Sequence, residues 1–154
     1  MNISDKGLQI LKHFEGCKLT AYADTGGVWT IGYGNTYFPD GRKVKKGDKI
    51  SQAEAEAMLP AVLSEFEAEV SKHMVVPTTQ HEFDAMVCLA YNIAHHAFGK
   101  STLLRLHKVR TPRKEVAKQF HRWNKDNGKV LKGLIRRRAS EAHLYEYGEV
   151  KFFL

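Results

Sequence analysis

The chain has 154 residues, of which 43% are hydrophobic, and its 24 Lys and Arg outnumber 17 Asp and Glu to give a formal charge of +7. A single core can be buried at this length without disulfides or metals, which excludes a small disulfide-framework protein. The N-terminus shows no basic segment followed by an apolar stretch, so the sequence predicts neither a signal peptide nor a transmembrane anchor.

The positive charge is concentrated towards the C-terminus. Residues 1–99 hold 9 Lys and Arg against 12 Asp and Glu, whereas residues 100–154 hold 15 against 5. Clustered positive charge predicts attraction to polyanions, which could be nucleic acid, anionic membrane, lipopolysaccharide or the carboxylates of peptidoglycan. No RNA- or DNA-binding motif frames the aromatic residues of this region, so we do not expect a nucleic-acid partner.

Cysteine and histidine usage indicates neither a disulfide framework nor a metal site. Two cysteines, Cys17 and Cys88, are typical of reduced thiols in a protein made in the cytoplasm, and the apolar run around Cys88 predicts a buried thiol. No Cys-x-x-Cys or His-Glu-x-x-His pattern occurs, and His95-His96 is the one adjacent histidine pair. The sequence therefore predicts no metal and no other cofactor.

The first predicted element is a helix over residues 4–14, because the apolar residues there follow a helical period. Ser4 or Asp5 can cap its start, and Gly16 suits the left-handed residue that ends a helix. Glu15 would then lie at the helix C-terminus. The partial negative charge of that end favours a protonated carboxyl, as a general acid requires.

A β-hairpin is predicted next. Residues 18–22 and 28–33 are rich in strand-forming residues, and the Thr25-Gly26-Gly27 break between them signals a turn. Asp24 and Thr30 would flank this turn, and we expect them to share one site with Glu15.

The second strand of the hairpin and the loop after it carry further expectations. Gly32 and Gly34 would leave this strand without side chains at alternate positions, so that a ligand could approach the backbone. Residues 42–45 are expected to complete a third short strand.

The period then changes to that of helices. Ser51-Gln52-Ala53-Glu54 is a capping box that opens a long helix towards Lys72, and Pro60 predicts a kink or two helices meeting near Leu59. A second capping box, Thr79-Gln80-His81-Glu82, opens a helix that should form the core of a helical lobe.

The C-terminal third is predicted to be helical with one loop. A short helix covers residues 101–107, a second one follows Thr111-Pro112 and runs to about Trp123, and residues 124–129 form a loop. The last helix covers residues 133–147. Its arginines are expected to be exposed or to face a cleft, and its packing residues would be Leu134, Ile135, Ala139, Ala142 and Tyr145.

These elements predict an α+β, mainly helical fold in a single domain over residues 1–154. A small lobe at about residues 13–50 would carry a three-stranded antiparallel sheet. A long helix at about residues 51–73 would connect it to a helical lobe at about residues 74–154, packed with the N-terminal helix 4–14. A cleft between the lobes would be the ligand site.

The spacing of Glu15, Asp24 and Thr30, with the run Thr30-Ile31-Gly32-Tyr33-Gly34, resembles the catalytic signature of the phage-type lysozymes, glycoside hydrolase family 24. One departure is Ala94, before His95-His96, because family members commonly carry Gly after Tyr-Asn-Ile. Further matches follow the family order along the chain: residues 51–56, 83–87, 90–93, 97–98, 101–105, 120–123 and 133–138.

The resemblance implies a lysozyme-like fold and an endolysin that hydrolyses the β-1,4 bond between N-acetylmuramic acid and N-acetylglucosamine. It implies that Glu15 acts as the acid and that Asp24 stays ionised. A threonine hydroxyl is suited to holding water, so Thr30 predicts direct attack by water with inversion, which needs carboxylates roughly 6.5–9.5 Å apart. The substrate-binding residues would be Gly34, Asn35, Tyr91, Asn92 and Arg137.

The partners would be peptidoglycan glycan strands, and the basic region could also contact lipopolysaccharide or an anionic membrane. We expect a monomer, because the cleft must admit a long glycan. The protein would stay in the bacterial cytoplasm until a holin releases it to the cell wall. Two alternatives remain open at this point, namely a lytic transglycosylase, which needs a single acid, and a cationic membrane- or nucleic-acid-binding module.

Overall fold

The computed structural model describes residues 1–24 and 26–154, so the predicted turn residue Thr25 lies outside the described residues. The chain divides into two compact units, one of residues 1–14 and 66–154 and one of residues 15–65. The helices are α1 (Asp5–Phe14), α2 (Gln52–Lys72), α3 (Gln80–Ile93), α4 (His95–Gly99), α5 (Thr102–Lys108), α6 (Arg113–Lys118) and α7 (Lys132–Tyr147), with a 3-10 helix at Gln119–Arg122; the strands are β1 (Lys18–Ala23), β2 (Trp29–Gly32), β3 (Lys125–Asp126) and β4 (Lys129–Val130).

The sheet of the 15–65 unit has two strands in the described part of the chain, so the predicted third strand at residues 42–45 is wrong. β1 pairs antiparallel with β2, and residues 48–50 add backbone hydrogen bonds from Ala21 N–H to the Asp48 carbonyl and from Ile50 N–H to the Leu19 carbonyl, both 2.9 Å. Residues 42–44 instead fold back onto residues 36–38 through a tight turn, so they pair there and not with the sheet.

Gly32 does not open the strand to a ligand, contrary to the prediction. It is buried with φ +67°, and a Cβ at this position would lie 3.3 Å from Asn35 Oδ1 and 3.6 Å from Ile50 Cδ1. Gly32 thus permits the backbone turn and the close packing of its neighbours. Gly34, which is exposed with φ 113°, keeps the open backbone that a ligand would need.

The long helix α2 begins with the predicted capping box. Ser51 N–H donates to Glu54 Oε1 at 3.0 Å, and Glu54 N–H donates to Ser51 Oγ at 3.1 Å. Of the two alternatives predicted near Leu59, the division into two helices is wrong, because α2 is one continuous helix that contains Pro60, and the kink stays a prediction. Pro60 is exposed, so water can replace the hydrogen bond that its ring removes.

Helix α3 is the predicted core of the helical unit, and it packs against α1 and α7. Its capping box is confirmed: Thr79 N–H donates to Glu82 Oε1 at 2.8 Å, and Glu82 N–H donates to Thr79 Oγ1 at 3.3 Å. Residues 83–90 are all buried, as expected for a helix that is surrounded by other elements.

The ends of α1 differ from the prediction although its position is confirmed. Ser4 does not cap the helix with its side chain, because its hydroxyl and its N–H group both bond to the carboxylate of Asp84. Gly16 does not take up a left-handed conformation, and α1 ends at Phe14 without it.

The C-terminal region contains three further corrections. The N-cap of α6 is Pro112 and the helix begins at Arg113, one residue later than predicted, before it becomes a 3-10 helix. Residues 95–99 form the helix α4, which was not predicted. The predicted loop at residues 124–129 overlaps the hairpin β3–β4, which extends to Val130. The Asn127-Gly128 turn of this hairpin has φ values of 50° and 79°, and this dipeptide is a hairpin signal that was overlooked.

Both cysteines are free, and the predicted burial of Cys88 is confirmed. Its Sγ donates to the Gly7 carbonyl at 3.4 Å. Burial raises the pKa of the Cys88 thiol well above its usual value, so the thiol stays protonated and unreactive.

Among the described residues, no helix combines the length and the apolar character that crossing a membrane would require.

Ala94 lies between α3 and α4 with φ 83° and ψ 144°, at the position where the family that the sequence resembles commonly carries Gly. A side chain in this conformation costs about 1–3 kcal/mol. We therefore expect Ala94→Gly to raise the free energy of unfolding by about 1 kcal/mol in a urea titration. Ala97→Gly, inside α4, is the matched control and should lower it by about 1 kcal/mol. Equal destabilisation by both changes would contradict the strain at Ala94.

Candidate active site

Glu15 directly follows the last residue of α1, as predicted, and its side chain is half-buried. It is the first residue of the 15–65 unit, which also holds four other predicted site residues, namely Asp24, Thr30, Gly34 and Asn35. The single hairpin of β1 and β2 carries two of these residues, and it determines their geometry.

The carboxylate of Asp24 is held by the turn between β1 and β2. Its Oδ1 accepts hydrogen bonds from the N–H groups of Gly26 and Val28, both at 2.8 Å. This arrangement is an Asx turn, in which a short acidic side chain takes the place of a backbone carbonyl. Oδ2 makes no hydrogen bond with any residue that the structure describes, and the residue is exposed. One carboxylate oxygen is therefore fixed while the other can accept from a ligand or water.

Thr30 lies on β2 opposite Tyr22 and is 5% exposed. Its hydroxyl donates to the Val28 carbonyl at 3.0 Å. Because the one hydroxyl hydrogen is used in this bond, Oγ1 has lone pairs left but no donor. Thr30 can therefore accept a hydrogen bond from a bound water and cannot donate one to it.

The peptide groups of Val28 connect Asp24 and Thr30. Val28 N–H donates to Asp24 Oδ1, and the Val28 carbonyl accepts both the Thr30 hydroxyl and the Asp24 N–H group, the last at 2.9 Å. This role of Val28 was not predicted, because Val28 acts through its backbone and its side chain is 48% exposed. The Asp followed by Gly two residues later was the signal for the turn that aligns it.

Asn35 is buried and bonded to the protein. Its Nδ2 donates to the Met58 carbonyl on α2 at 3.0 Å, and its backbone exchanges two hydrogen bonds of 2.9 Å with Ile31. Oδ1 is buried and has no partner among residues 1–24 and 26–154. The hydrogen bond from Asn35 to Met58 attaches the loop after β2 to helix α2. Contact with the substrate stays a prediction for Asn35 and for Gly34.

Three predicted substrate-binding residues belong to the helical unit. Tyr91 and Asn92 lie in the last turn of α3, where Tyr91 is half-buried with its ring 5.1 Å from that of Phe66 and Asn92 is exposed. Arg137 lies on α7 and donates from Nη2 to the Cys88 carbonyl at 3.0 Å. Their contact with the substrate also stays a prediction.

The arginine run of α7 was predicted to be exposed or to face a cleft. The first alternative is wrong for two of its members, and the second stays a prediction. Arg137 and Arg138 are 3% and 0% exposed, and Arg136 is exposed. Both buried guanidinium groups pair with Glu141, through Arg137 Nε at 3.0 Å and Arg138 Nε at 2.8 Å. The helical period places Arg137, Arg138 and Glu141 on the buried side of α7. Ile135 was predicted to pack in the core, but it is 42% exposed.

No group of three or more His, Cys, Asp or Glu side chains in the described part of the chain is placed to hold a metal ion. The candidate residues of the hairpin are a carboxylate with one available oxygen and a hydroxyl that accepts. With the carboxyl group of Glu15, these are the kinds of group that acid–base catalysis uses, and their catalytic roles stay predictions.

Comparison with known proteins identifies the family. The family model described as phage lysozyme matches residues 12–141. The endolysin of Acyrthosiphon pisum secondary endosymbiont phage 1 is 39% identical and aligns with 95% of this chain and 99% of its own length. Two solved structures are also similar. The endolysin from Escherichia coli O157:H7 phage FAHEc1 has a TM-score of 0.83 and 41% identity, covering 98% of this chain and 97% of that one. The muramidase domain of SpmX from Asticaccaulis excentricus has a TM-score of 0.81 and 34% identity, covering 94% and 97%.

These similarities confirm the predicted lysozyme-like α+β fold, and they favour an enzyme over a cationic binding module. They extend over most of the chain, including the hairpin that carries Asp24 and Thr30. The chain belongs to the phage lysozyme family and is a glycoside hydrolase that acts on peptidoglycan.

Proposed function

We propose that the chain is an N-acetylmuramidase that cuts the β-1,4 bond between N-acetylmuramic acid and N-acetylglucosamine in one step, with inversion. Membership of the phage lysozyme family supports the reaction class, and the similarity to a domain named as a muramidase supports the choice of bond. The observation that carries the mechanism is the attachment of Asp24 and Thr30 to the one residue Val28.

In this proposal Glu15 donates a proton to the glycosidic oxygen as the bond to the anomeric carbon breaks. The leaving sugar then departs as a neutral alcohol, and positive charge develops on the ring that remains. The position of Glu15, half-buried and directly after α1, supports this role because a general acid must be partly sheltered from water yet reach the substrate.

Asp24 and Thr30 hold the attacking water. The water donates one hydrogen to Asp24 Oδ2 and the other to Thr30 Oγ1, which leaves an oxygen lone pair for the anomeric carbon. As the new bond forms, Asp24 takes the proton that the water loses. The hydrogen bonds of both residues to Val28 support this role, because they fix the two acceptors before the substrate binds.

A lytic transglycosylase is the alternative reaction. It needs one acid and no water, and its product is an anhydro sugar. Such an enzyme would have no use for a second carboxylate fixed by two N–H groups or for a hydroxyl left as an acceptor, so the hairpin favours hydrolysis. The mass of the fragments from purified peptidoglycan separates the two, because the anhydro product lacks one water.

The stereochemical outcome tests the proposal. We expect proton NMR of a soluble glycan digest to show the α-anomer first, before mutarotation mixes the signals. Thr30→Ala should slow turnover about tenfold by loosening the water, whereas Thr30→Ser retains the hydroxyl and should stay within a few-fold of the unsubstituted protein. Appearance of the β-anomer first would make Asp24 a nucleophile and remove the water-holding role of Thr30.

The same proposal covers the setting of the reaction. The enzyme acts as a monomer and as one lysozyme-like domain, and it stays in the host cytoplasm until a holin releases it to the cell wall. Residues 100–154 hold 15 Lys and Arg against 5 Asp and Glu, and this positive charge supports attraction to lipopolysaccharide or an anionic membrane. Of the arginine run on α7, Arg136 is the exposed member that could take part.

A further inference from the structure

The helical unit contains a polar cavity of about 330 Å³ that has no part in the proposed hydrolysis. This volume lies at the lower end for small-ligand sites. Three threonines, two arginines and three other ionisable side chains account for most of its lining, which consists of Val76, Pro77, Thr78, Thr79, Glu82, His107, Arg110, Thr111, Arg113 and Tyr145.

One side of the cavity is a chain of hydrogen bonds with a fixed direction. The Thr78 hydroxyl donates to the Val76 carbonyl at 3.0 Å, so it accepts from His107 Nε2–H at 2.9 Å. His107 Nδ1 is then the acceptor for the Tyr145 hydroxyl at 2.6 Å. Burial lowers the pKa of His107 and raises that of Tyr145, so both groups are neutral near pH 7. This side of the cavity therefore contributes no charge.

A second side is the ion pair of Glu82 and Arg113. The Glu82 carboxylate is almost completely buried and accepts from Arg113 Nε at 2.9 Å and from Thr79 N–H at 2.8 Å. Burial by itself would raise the pKa of Glu82, but these bonds outweigh it and the pKa is lowered, so the carboxylate is ionised. The bond through Nε orients the Arg113 guanidinium, and its two terminal nitrogens make no hydrogen bond with the described residues.

Arg110 adds a second cation. Its φ of 59° is left-handed, a conformation that Gly or Asn adopts more easily than a long side chain does. Its side chain is exposed, and no hydrogen bond or ion pair joins it to the residues that the structure describes. Since Glu82 offsets Arg113, the cavity carries a net charge of one positive unit and a surplus of N–H donors over acceptors.

We propose that this cavity binds an oxyanion, held by Arg110 and by the terminal nitrogens of Arg113. A planar guanidinium with two parallel N–H groups matches carboxylate and phosphate oxygens. In this setting the group would be a carboxylate of a peptidoglycan stem peptide or a phosphate. The site does not depend on the proposed roles of Glu15, Asp24 and Thr30.

NMR titration tests the site with two probes, inorganic phosphate and N-acetyl-D-alanyl-D-alanine. We expect saturable shifts of the Arg110 and Arg113 Nε–H signals with at least one probe. Arg110→Asn should weaken that binding about tenfold, because it removes a charged donor and suits the left-handed backbone. Arg105→Gln, an exposed arginine of α5 outside the cavity, is the matched control and should bind like the unsubstituted protein.

The outcomes of this titration distinguish phosphate from carboxylate as the ligand group, and they include the results that would overturn the oxyanion site. Saturation by phosphate alone identifies phosphate as the ligand group, and saturation by the peptide identifies a carboxylate. No saturable shift with either probe at millimolar concentration, or equal weakening by Arg110→Asn and Arg105→Gln, would overturn the site. Arg110→Gly is a second variant that also suits the backbone, so a loss of binding in both Arg110 variants with unchanged thermal unfolding excludes misfolding as the cause.

Discussion

Glu15→Gln should abolish hydrolysis of purified peptidoglycan and leave the fold intact. The amide has the size of the acid but has no acidic proton to give to the leaving oxygen. General acid catalysis contributes about 10²- to 10⁴-fold, so the remaining rate should be below a few per cent of that of the unsubstituted protein. Release of new reducing ends measures the rate.

Two controls make this result specific to Glu15. Glu56→Gln changes an exposed glutamate of α2 and should retain full activity. The thermal unfolding of Glu15→Gln should match that of the unsubstituted protein.

Asp24→Asn should also be severely impaired in the hydrolysis of peptidoglycan, and nearly normal activity of that variant would favour the lytic transglycosylase. Substantial hydrolysis by a folded Glu15→Gln protein would remove Glu15 from the mechanism.

The features that the sequence predicted well are local ones. Both capping boxes, at residues 51–54 and 79–82, form as predicted because all their hydrogen bonds lie within four residues. The same holds for the hairpin that places Asp24 and Thr30, whose strands are separated by a short turn. Most of the helical positions and the places of Asp24 and Thr30 in the hairpin therefore followed from short-range patterns.

Two of the errors arise where packing against other residues decides. The third strand was assigned to residues 42–45 by its turn signals, but residues 48–50 take the place beside β1. Gly32 appeared to leave space for a ligand, and that space is filled by Asn35 and Ile50. Residues 48–50, which contact both β1 and Gly32, lie outside the hairpin sequence, so no pattern within the hairpin could have revealed these contacts.

The arginine run of α7 shows how composition misleads. Consecutive arginines usually lie on a solvated face, and the first of the two predicted alternatives, exposure, followed that tendency. A compensating signal was present, because Glu141 stands four residues after Arg137 and three after Arg138, at the spacing of partners on one helix face. An acidic residue at that spacing makes burial of two guanidinium groups possible.

This cluster gives the prediction with the largest effect on stability. Glu141 is fully buried, and its carboxylate accepts from Arg137 Nε at 3.0 Å and from Arg138 Nη2 at 3.1 Å. Arg138 has one further acceptor, the Trp123 carbonyl at 3.3 Å. Glu141→Gln would remove the carboxylate that both buried guanidinium groups contact, and breaking a buried ion pair costs about 3–5 kcal/mol. We expect that loss in the free energy of unfolding from a urea titration.

An exposed pair supplies the comparison. Glu115 bonds to Lys118 at 3.2 Å with both side chains more than half exposed, so Glu115→Gln should change the free energy of unfolding by less than about 1 kcal/mol. Arg138→Gln should destabilise less than Glu141→Gln, because Glu141 keeps its bond to Arg137 in that variant. The order Glu141→Gln, Arg138→Gln, Glu115→Gln follows from the burial of each ion pair and from the number of buried ion-pair contacts that each change removes. A Glu141→Gln protein as stable as the Glu115→Gln protein would show that the buried cluster does not hold α7 in place.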